Sequence, residues 1–228
     1  MSNIANRLLR QTVLATVIIT SIGSPAVFSA DEREVRETAR VELEAALQLS
    51  GDPERGRSLF ATCAACHGVD GAGQSDGNAP VIARQHRSVV LKQLVDYRHA
   101  LRWDLRMEHV VELKKFESLQ DLADVAVYVS QLPRVDQVGY GPGEHLQRGS
   151  WTFILQCASC HGASGDGSST ARIPRLAAQH YDYLRRQLWD IAEGRRPQLS
   201  ATHDKWLSDL EQTDVNGIAD YLSRVVPR

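Results

Sequence analysis

Sulfur is scarce in this sequence of 228 residues. Met1 and Met107 are its two methionines, and its four cysteines fall into two C-x-x-C pairs, so no thiol is spare. Charge of one sign is not in excess either. The formal net charge is −2, and no basic patch with interleaved aromatics is present, which argues against nucleic acid as a partner. Long apolar runs are missing as well. The longest, Val13 to Ile19, is short of the roughly 20 residues that cross a bilayer. What is there, 24% charged and 43% hydrophobic residues, is the composition of a folded soluble protein rather than a disordered one.

The apolar run belongs to an N-terminal segment unlike the rest. Arg7 and Arg10 precede it, and Gly23, Pro25 and small residues around Ser29 and Ala30 follow. A basic start, a short apolar core and a small-residue exit make residues 1–30 a secretory signal peptide, with cleavage after Ser29 or Ala30. A retained membrane anchor is the alternative. Residues 31–50 then read as a charged amphipathic helix with no chemistry of its own.

Both cysteine pairs are followed by a histidine: Cys63-Ala64-Ala65-Cys66-His67 and Cys157-Ala158-Ser159-Cys160-His161. C-x-x-C-H is the attachment signature of c-type haem, with two thiols forming thioethers to the porphyrin and the histidine ligating iron. Residues three and four apart share a helix face, so all three side chains can meet one flat macrocycle. Disulfides would need no histidine in register. A thioredoxin-like pair belongs in a βαβ setting, and no strand pattern surrounds either motif. One zinc ion held by four thiolates would leave both histidines unexplained. Two covalently bound haem c groups are therefore expected, on Cys63, Cys66, His67 and on Cys157, Cys160, His161.

The two motifs are landmarks of a longer repeat. An offset of 94 pairs Gly68/Gly162, Gly71/Gly165, Gly73/Gly167, Pro80/Pro174, Gln85/Gln179, His86/His180, Gln93/Gln187 and Asp96/Asp190. Further on, an offset of 93 pairs Asp121/Asp214, Ala126/Ala219 and Tyr128/Tyr221. Residues 51–133 and 144–228 are two copies of one domain, joined by a Gly- and Pro-rich linker at 134–143. Each copy reads as helices and loops. Asp52 and Pro53 start the first helix, another spans Ser88 to Arg98, and Ser118 with Asp121 opens a third whose stripe is Leu122, Val125, Val129 and Leu132.

From about residue 52 onward the chain resembles the dihaem cytochrome c4 family, two class I cytochrome c domains in tandem. The C-x-x-C-H-G motifs, the G-x-x-G-x-G loops, Pro80, Pro174, Tyr128 and Tyr221 carry the resemblance. It implies an all-α fold of two tandem cytochrome c-like domains, here preceded by a signal peptide and an amphipathic helix. It also implies that the Pro80 and Pro174 carbonyls accept the ring N–H of His67 and His161. The sixth iron ligand it implies is a methionine about forty residues after the proximal histidine, which in the first domain is Met107. His109, two residues on, is the competitor.

The second domain has no methionine to offer. Leu199, Ser200 and Ala201 stand opposite Met107, and His203 lies forty-two residues after His161 in the same loop. Imidazole suits iron, so His161/His203 ligation is the leading expectation. A five-coordinate or weakly ligated iron with His203 nearby, or a different histidine, stays open. His86 and His180 read as surface or propionate-side groups, His99 and His145 as solvated. Arg102 and Arg195 are candidates for pairing with haem propionates.

A periplasmic electron carrier is thus expected, passing single electrons between redox proteins, with a membrane-bound oxidase or reductase among the candidates. No small-molecule substrate is expected. The alternative is a haem enzyme or its electron-delivering subunit, similar to a peroxidase or thiosulfate dehydrogenase. The missing spare cysteine weighs against the thiosulfate chemistry.

Overall fold

The computed structural model describes residues 29–112, 116–135, 137–196, 203, 207 and 209–226. Of the proposed signal peptide, Ser29 and Ala30 alone lie among them. Within the described residues the backbone is helical, with one isolated bridge between Ser168 and Ile173 and no strand.

Helix α1 (Ala30–Gln48) opens on a capping box in which Ser29 and Glu32 satisfy each other's backbone N–H. Ala39, Leu43 and Ala46 bury its inner face in the first domain's core. Its C-terminal carbonyls would otherwise be orphaned. Arg87 takes them, donating to Leu47 O at 3.3 Å, Ala46 O at 3.2 Å and Leu49 O at 2.6 Å. Glu42 accepts from Arg98 and lies 2.6 Å from His99 Nε2. The expectation of a solvated His99 is therefore corrected: burying α1 brings a carboxylate onto the ring.

The first domain consists of α2 (Pro53–His67), α3 (Arg87–Arg98), α4 (Leu105–Val111) and α5 (Leu119–Gln131). Asp52 caps α2 and Pro53 occupies its first turn, while Ser118 and Asp121 form the capping box of α5. The fully buried stripe Leu122, Val125, Val129 packs with Phe60. Burial of each such side chain stabilises by about 1.5–3 kcal/mol. Phe60 and Tyr128 hold α2 and α5 together with ring centroids 5.2 Å apart.

The second domain repeats the plan with α6 (Leu146–Thr152), a π-helical turn (Phe153–Cys157), α7 (Ala158–His161), α8 (Tyr181–Ala192) and α9 (Gln212–Arg224). Phe153 and Tyr221 take the places of Phe60 and Tyr128, at 5.8 Å. Helices α6 and α9 cross at two glycines. A Cβ on Gly149 would stand 1.9 Å from the Gly217 carbonyl carbon, so nothing larger fits. The repeat slips inside this helix: Arg55/Arg148, Gly56/Gly149 and Phe60/Phe153 are offset by 93, Cys63/Cys157 by 94. The extra residue is absorbed by the π turn, whose wider ring takes in one residue more without breaking the helix.

The two domains meet through reciprocal bonds. Gln179 Oε1 accepts from Val81 N at 2.9 Å, and its Nε2 donates to Val81 O at 2.8 Å. Gln85 does the same to Arg175, at 2.9 and 3.0 Å. His86 Nε2 lies 2.7 Å from Asp166 O, and His180 Nε2 lies 2.8 Å from Ala72 O. Because Arg175 and Asp166 are the repeat counterparts of Val81 and Ala72, the seam has a pseudo-two-fold axis. This corrects the surface reading of His86 and His180, the latter 2% exposed. Arg84 and Ala178, immediately before each glutamine, have φ of 58° and 53°. Each spends about 1–2 kcal/mol of backbone strain on that turn across the seam.

Candidate functional site

Each cysteine pair sits at the end of a helix that its domain core holds in place. The four thiols are free of disulfides, Cys63 and Cys157 half-buried, Cys66 and Cys160 exposed. Burial pushes the Cys63 and Cys157 thiols up to about 11, with the neighbouring cysteine adding to it. They are held as neutral thiols along one helix edge, each with the proximal histidine a turn further on.

Behind each motif the chain folds back on the histidine. Gly68 and Gly162 end the helices with φ of 74° and 79°. Gly73 N then donates to His67 O, and Gly167 N to His161 O, both at 2.8 Å. The loop brings Pro80 O to 3.0 Å from His67 Nδ1 and Pro174 O to 3.2 Å from His161 Nδ1. A carbonyl only accepts, so Nδ1 carries the proton and Nε2 keeps the lone pair that a metal needs. Both rings are buried, at 6% and 9% exposure. Burial lowers both histidine pKa values, which favours the neutral, ligating form.

Helix α4 carries the first domain's candidate for a sixth ligand. Asp104 caps it, and the charges of Arg106 and Asp104 both act on the His67 ring. Met107, in that same turn, is half-buried and packs against the first core. His109 points away, its side chain 67% exposed and 3.7 Å from Glu112. In the second domain the His203 ring stands 6.2 Å from the His161 ring, centroid to centroid, at an interplanar angle of 77°. Two imidazoles bonding one metal ion from opposite sides, at about 2 Å each, put their centroids roughly 6 Å apart. Leu199, Ser200 and Ala201 lie outside the described residues.

Between the two sites lies a buried basic cluster that the sequence half revealed. Arg102 donates to Gln187 Oε1 and Tyr183 Oη at 2.8 Å, and also bonds Gln93. Arg196 donates to Gln187 Oε1 at 2.9 Å and reaches Gln93 at 3.5 Å. Arg102 and Arg196 are repeat counterparts, 94 residues apart. Arg195, the expected propionate partner, faces solvent and pairs with Asp190 at 2.8 Å. Among the described residues neither buried guanidinium bonds a carboxylate, and Arg196 Nε is buried without a hydrogen-bond partner. Burial and the charge of Arg102 push the Arg196 pKa down to about 10. A pair of buried cations in need of anions, in a molecule that also offers free thiols and neutral histidines, fits a haem with its two propionates.

That combination of helices, tethers and clasped imidazoles defines a c-type cytochrome. The cytochrome c family model matches residues 53–133 and again 146–225. Cytochrome c4 of Pseudomonas aeruginosa is 33% identical over 181 residues, covering 76% of this chain and 88% of that protein. The crystal structure of reduced recombinant cytochrome c4 from Pseudomonas stutzeri superposes with a TM-score of 0.68 at 30% identity, covering 78% of this chain and all of that one. A shorter match, 38% identical over 60 residues, reaches 28% of a thiosulfate dehydrogenase electron acceptor from Stutzerimonas stutzeri. The chain belongs to the cytochrome c4 family. Its cofactors are two covalently bound haem c groups, and its role is electron transfer.

Proposed function

We propose that this protein is a periplasmic carrier of single electrons whose two irons are unequally ligated, by His67 and Met107 in the first domain and by His161 and His203 in the second. Each bound haem supplies an iron that alternates between the ferric and ferrous states. The chain's own part is to fix the ligands, exclude water and set the potentials. Pro80 and Pro174 orient the proximal rings. Arg102 and Arg196 hold the propionates. Thioether ligation raises a potential relative to imidazole, so the first haem is the stronger electron acceptor and electrons settle there.

The observation that carries the unequal ligation is the 6.2 Å separation of the His161 and His203 rings. Electron paramagnetic resonance of the oxidised wild type and of His203→Ala tests it. Two low-spin signals in the wild type, one turning high-spin in the variant, are expected. A wild type with a high-spin iron that takes up carbon monoxide at once sinks the assignment and favours the enzymatic alternative. The partners are redox proteins. The partial match to a thiosulfate dehydrogenase electron acceptor supports a dehydrogenase of sulfur compounds as one donor.

A further inference from the structure

The seam between the domains holds a cavity whose lining includes none of the tether cysteines and none of the iron-ligand candidates. It measures about 110 Å³ and is lined by Arg84, Arg134 and Arg175, with Val81, Ala83 and Ala177 among its apolar wall. No acidic residue lines it among the described residues. Arg84 and Arg134 come from the first domain and the start of the linker, Arg175 from the second domain. Arg175 is half-buried. Its Nη1 donates to the Arg84 carbonyl at 2.6 Å, while its Nε is buried with no hydrogen-bond partner. The Asp166 carboxylate stands 3.7 Å from that Nε, beyond hydrogen-bonding reach. A buried N–H without an acceptor is unfavourable, and so is crowding guanidiniums at one place. Burial lowers the Arg175 pKa, Asp166 partly offsets this, and the charge of Arg84 adds a smaller lowering.

The seam's glutamine and histidine bonds come in matched pairs. Here the symmetry is broken: the counterpart of Arg175 is Val81, and the counterpart of Arg84 is Ala178. Both apolar counterparts line the same cavity. Basic groups have thus been placed where the repeat itself calls for none, on both sides of the boundary. A guanidinium offers a planar fork of N–H donors matched to an oxyanion. The volume exceeds that of several waters at about 30 Å³ each, which leaves room for a small tetrahedral ion.

We infer that this cavity binds a small divalent oxyanion of the sulfate or hydrogenphosphate class, which bridges Arg84 and Arg134 to Arg175 across the seam. The bound ion supplies the acceptor that Arg175 Nε lacks and fastens the two haem domains to each other.

Calorimetric titration of the dihaem protein with sodium sulfate, ionic strength held constant with sodium chloride, tests the site. A parallel titration uses inorganic phosphate. Saturable binding of one ion per chain is expected, weakened about tenfold or more in Arg84→Ala and in Arg175→Leu. Arg175→Lys, which keeps the charge but loses the fork, should fall between. Arg84 is exposed, so its variant keeps the fold even if Arg175→Leu does not, and unchanged haem spectra verify this. Two results overturn the proposal. One is the absence of saturable heat with either ion. The other is undiminished affinity in Arg84→Ala and Arg175→Lys, which places the binding elsewhere.

Discussion

Where the first and last helices of each domain cross, the two domains bury different things. In the first, Asp124 is fully buried and faces Gly56. It accepts from Arg55 Nη1 and Asp52 N at 2.8 Å and from Gln120 Nε2 at 2.7 Å. In the second, the counterpart of Asp124 is Gly217, and the helices touch backbone to backbone. Both crossings are close backbone approaches, since a Cβ on Gly56 would stand 2.1 Å from the Asp124 carbonyl oxygen, and the first adds a satisfied buried charge. The same freedom shows at the irons, where a thioether candidate in one domain faces an imidazole in the other. Duplication preserves what each tether needs, the proximal histidine and its proline carbonyl. It keeps the aromatic pair between the first and last helices and lets the buried charge and the sixth-ligand candidate diverge.

Breaking the second crossing should have the largest effect. Gly149→Val forces two backbones apart and should destabilise the second domain by about 3 kcal/mol, leaving the first largely intact. Thermal unfolding followed at each haem's own absorption checks this through a selective early loss of the second signal. Next comes the iron. His203→Met should make the two sites alike and raise the lower potential by on the order of 100 mV, about 2.3 kcal/mol per electron. Voltammetry that still shows the original two waves would remove His203 as ligand.

The charge clusters give a smaller contrast. Arg55→Met leaves the buried Asp124 without its cation and should cost about 2 kcal/mol, since other donors remain. Arg148→Met should cost clearly less, because Arg148 is half-exposed where it meets Asp214 and Glu211. Chemical denaturation of both variants gives the ratio, and equal losses would erase the distinction between the two crossings.

The least effect concerns pH. His180 Nδ1 accepts from Gly139 N at 2.9 Å while Nε2 donates to Ala72 O, so the folded state needs the neutral ring. Burial lowers its pKa from the ordinary 6.5. The unfolded chain therefore binds the extra proton more readily. The contribution of this bond is complete above about pH 6.5 and disappears as pH falls through the lower folded value. Melts between pH 5 and 7.5 should show a steeper decline for the wild type than for His180→Gln.

Much of this was legible in the sequence because covalent chemistry demands particular side chains at fixed spacing. The tethers, the helix caps at Asp52 and Ser118, and the repeat itself follow from residue identity, while the proline carbonyls were implied by the family resemblance. The seam was not legible, although Gln85/Gln179 and His86/His180 stood out as pairs. Their partners are main-chain atoms of Val81, Arg175, Ala72 and Asp166, and a bond to backbone leaves no mark on the partner's residue type. Sequence does not distinguish Arg196 from Arg195, because adjacent arginines differ only in which way the chain after the helix turns them. The slip from an offset of 93 to one of 94 before Cys157 was visible in principle, through Gly56/Gly149 and Phe60/Phe153. Only a backbone shows how it is accommodated.

That accommodation gives the second tether some slack. Between its core anchor, Phe153, and its first thiol the π turn stores a residue that the first domain manages without. Tightening those coils to ordinary pitch would shorten the strand of protein between core and cofactor without turning the cysteines off their edge. A chain trimmed by one amino acid there should still close around its porphyrin.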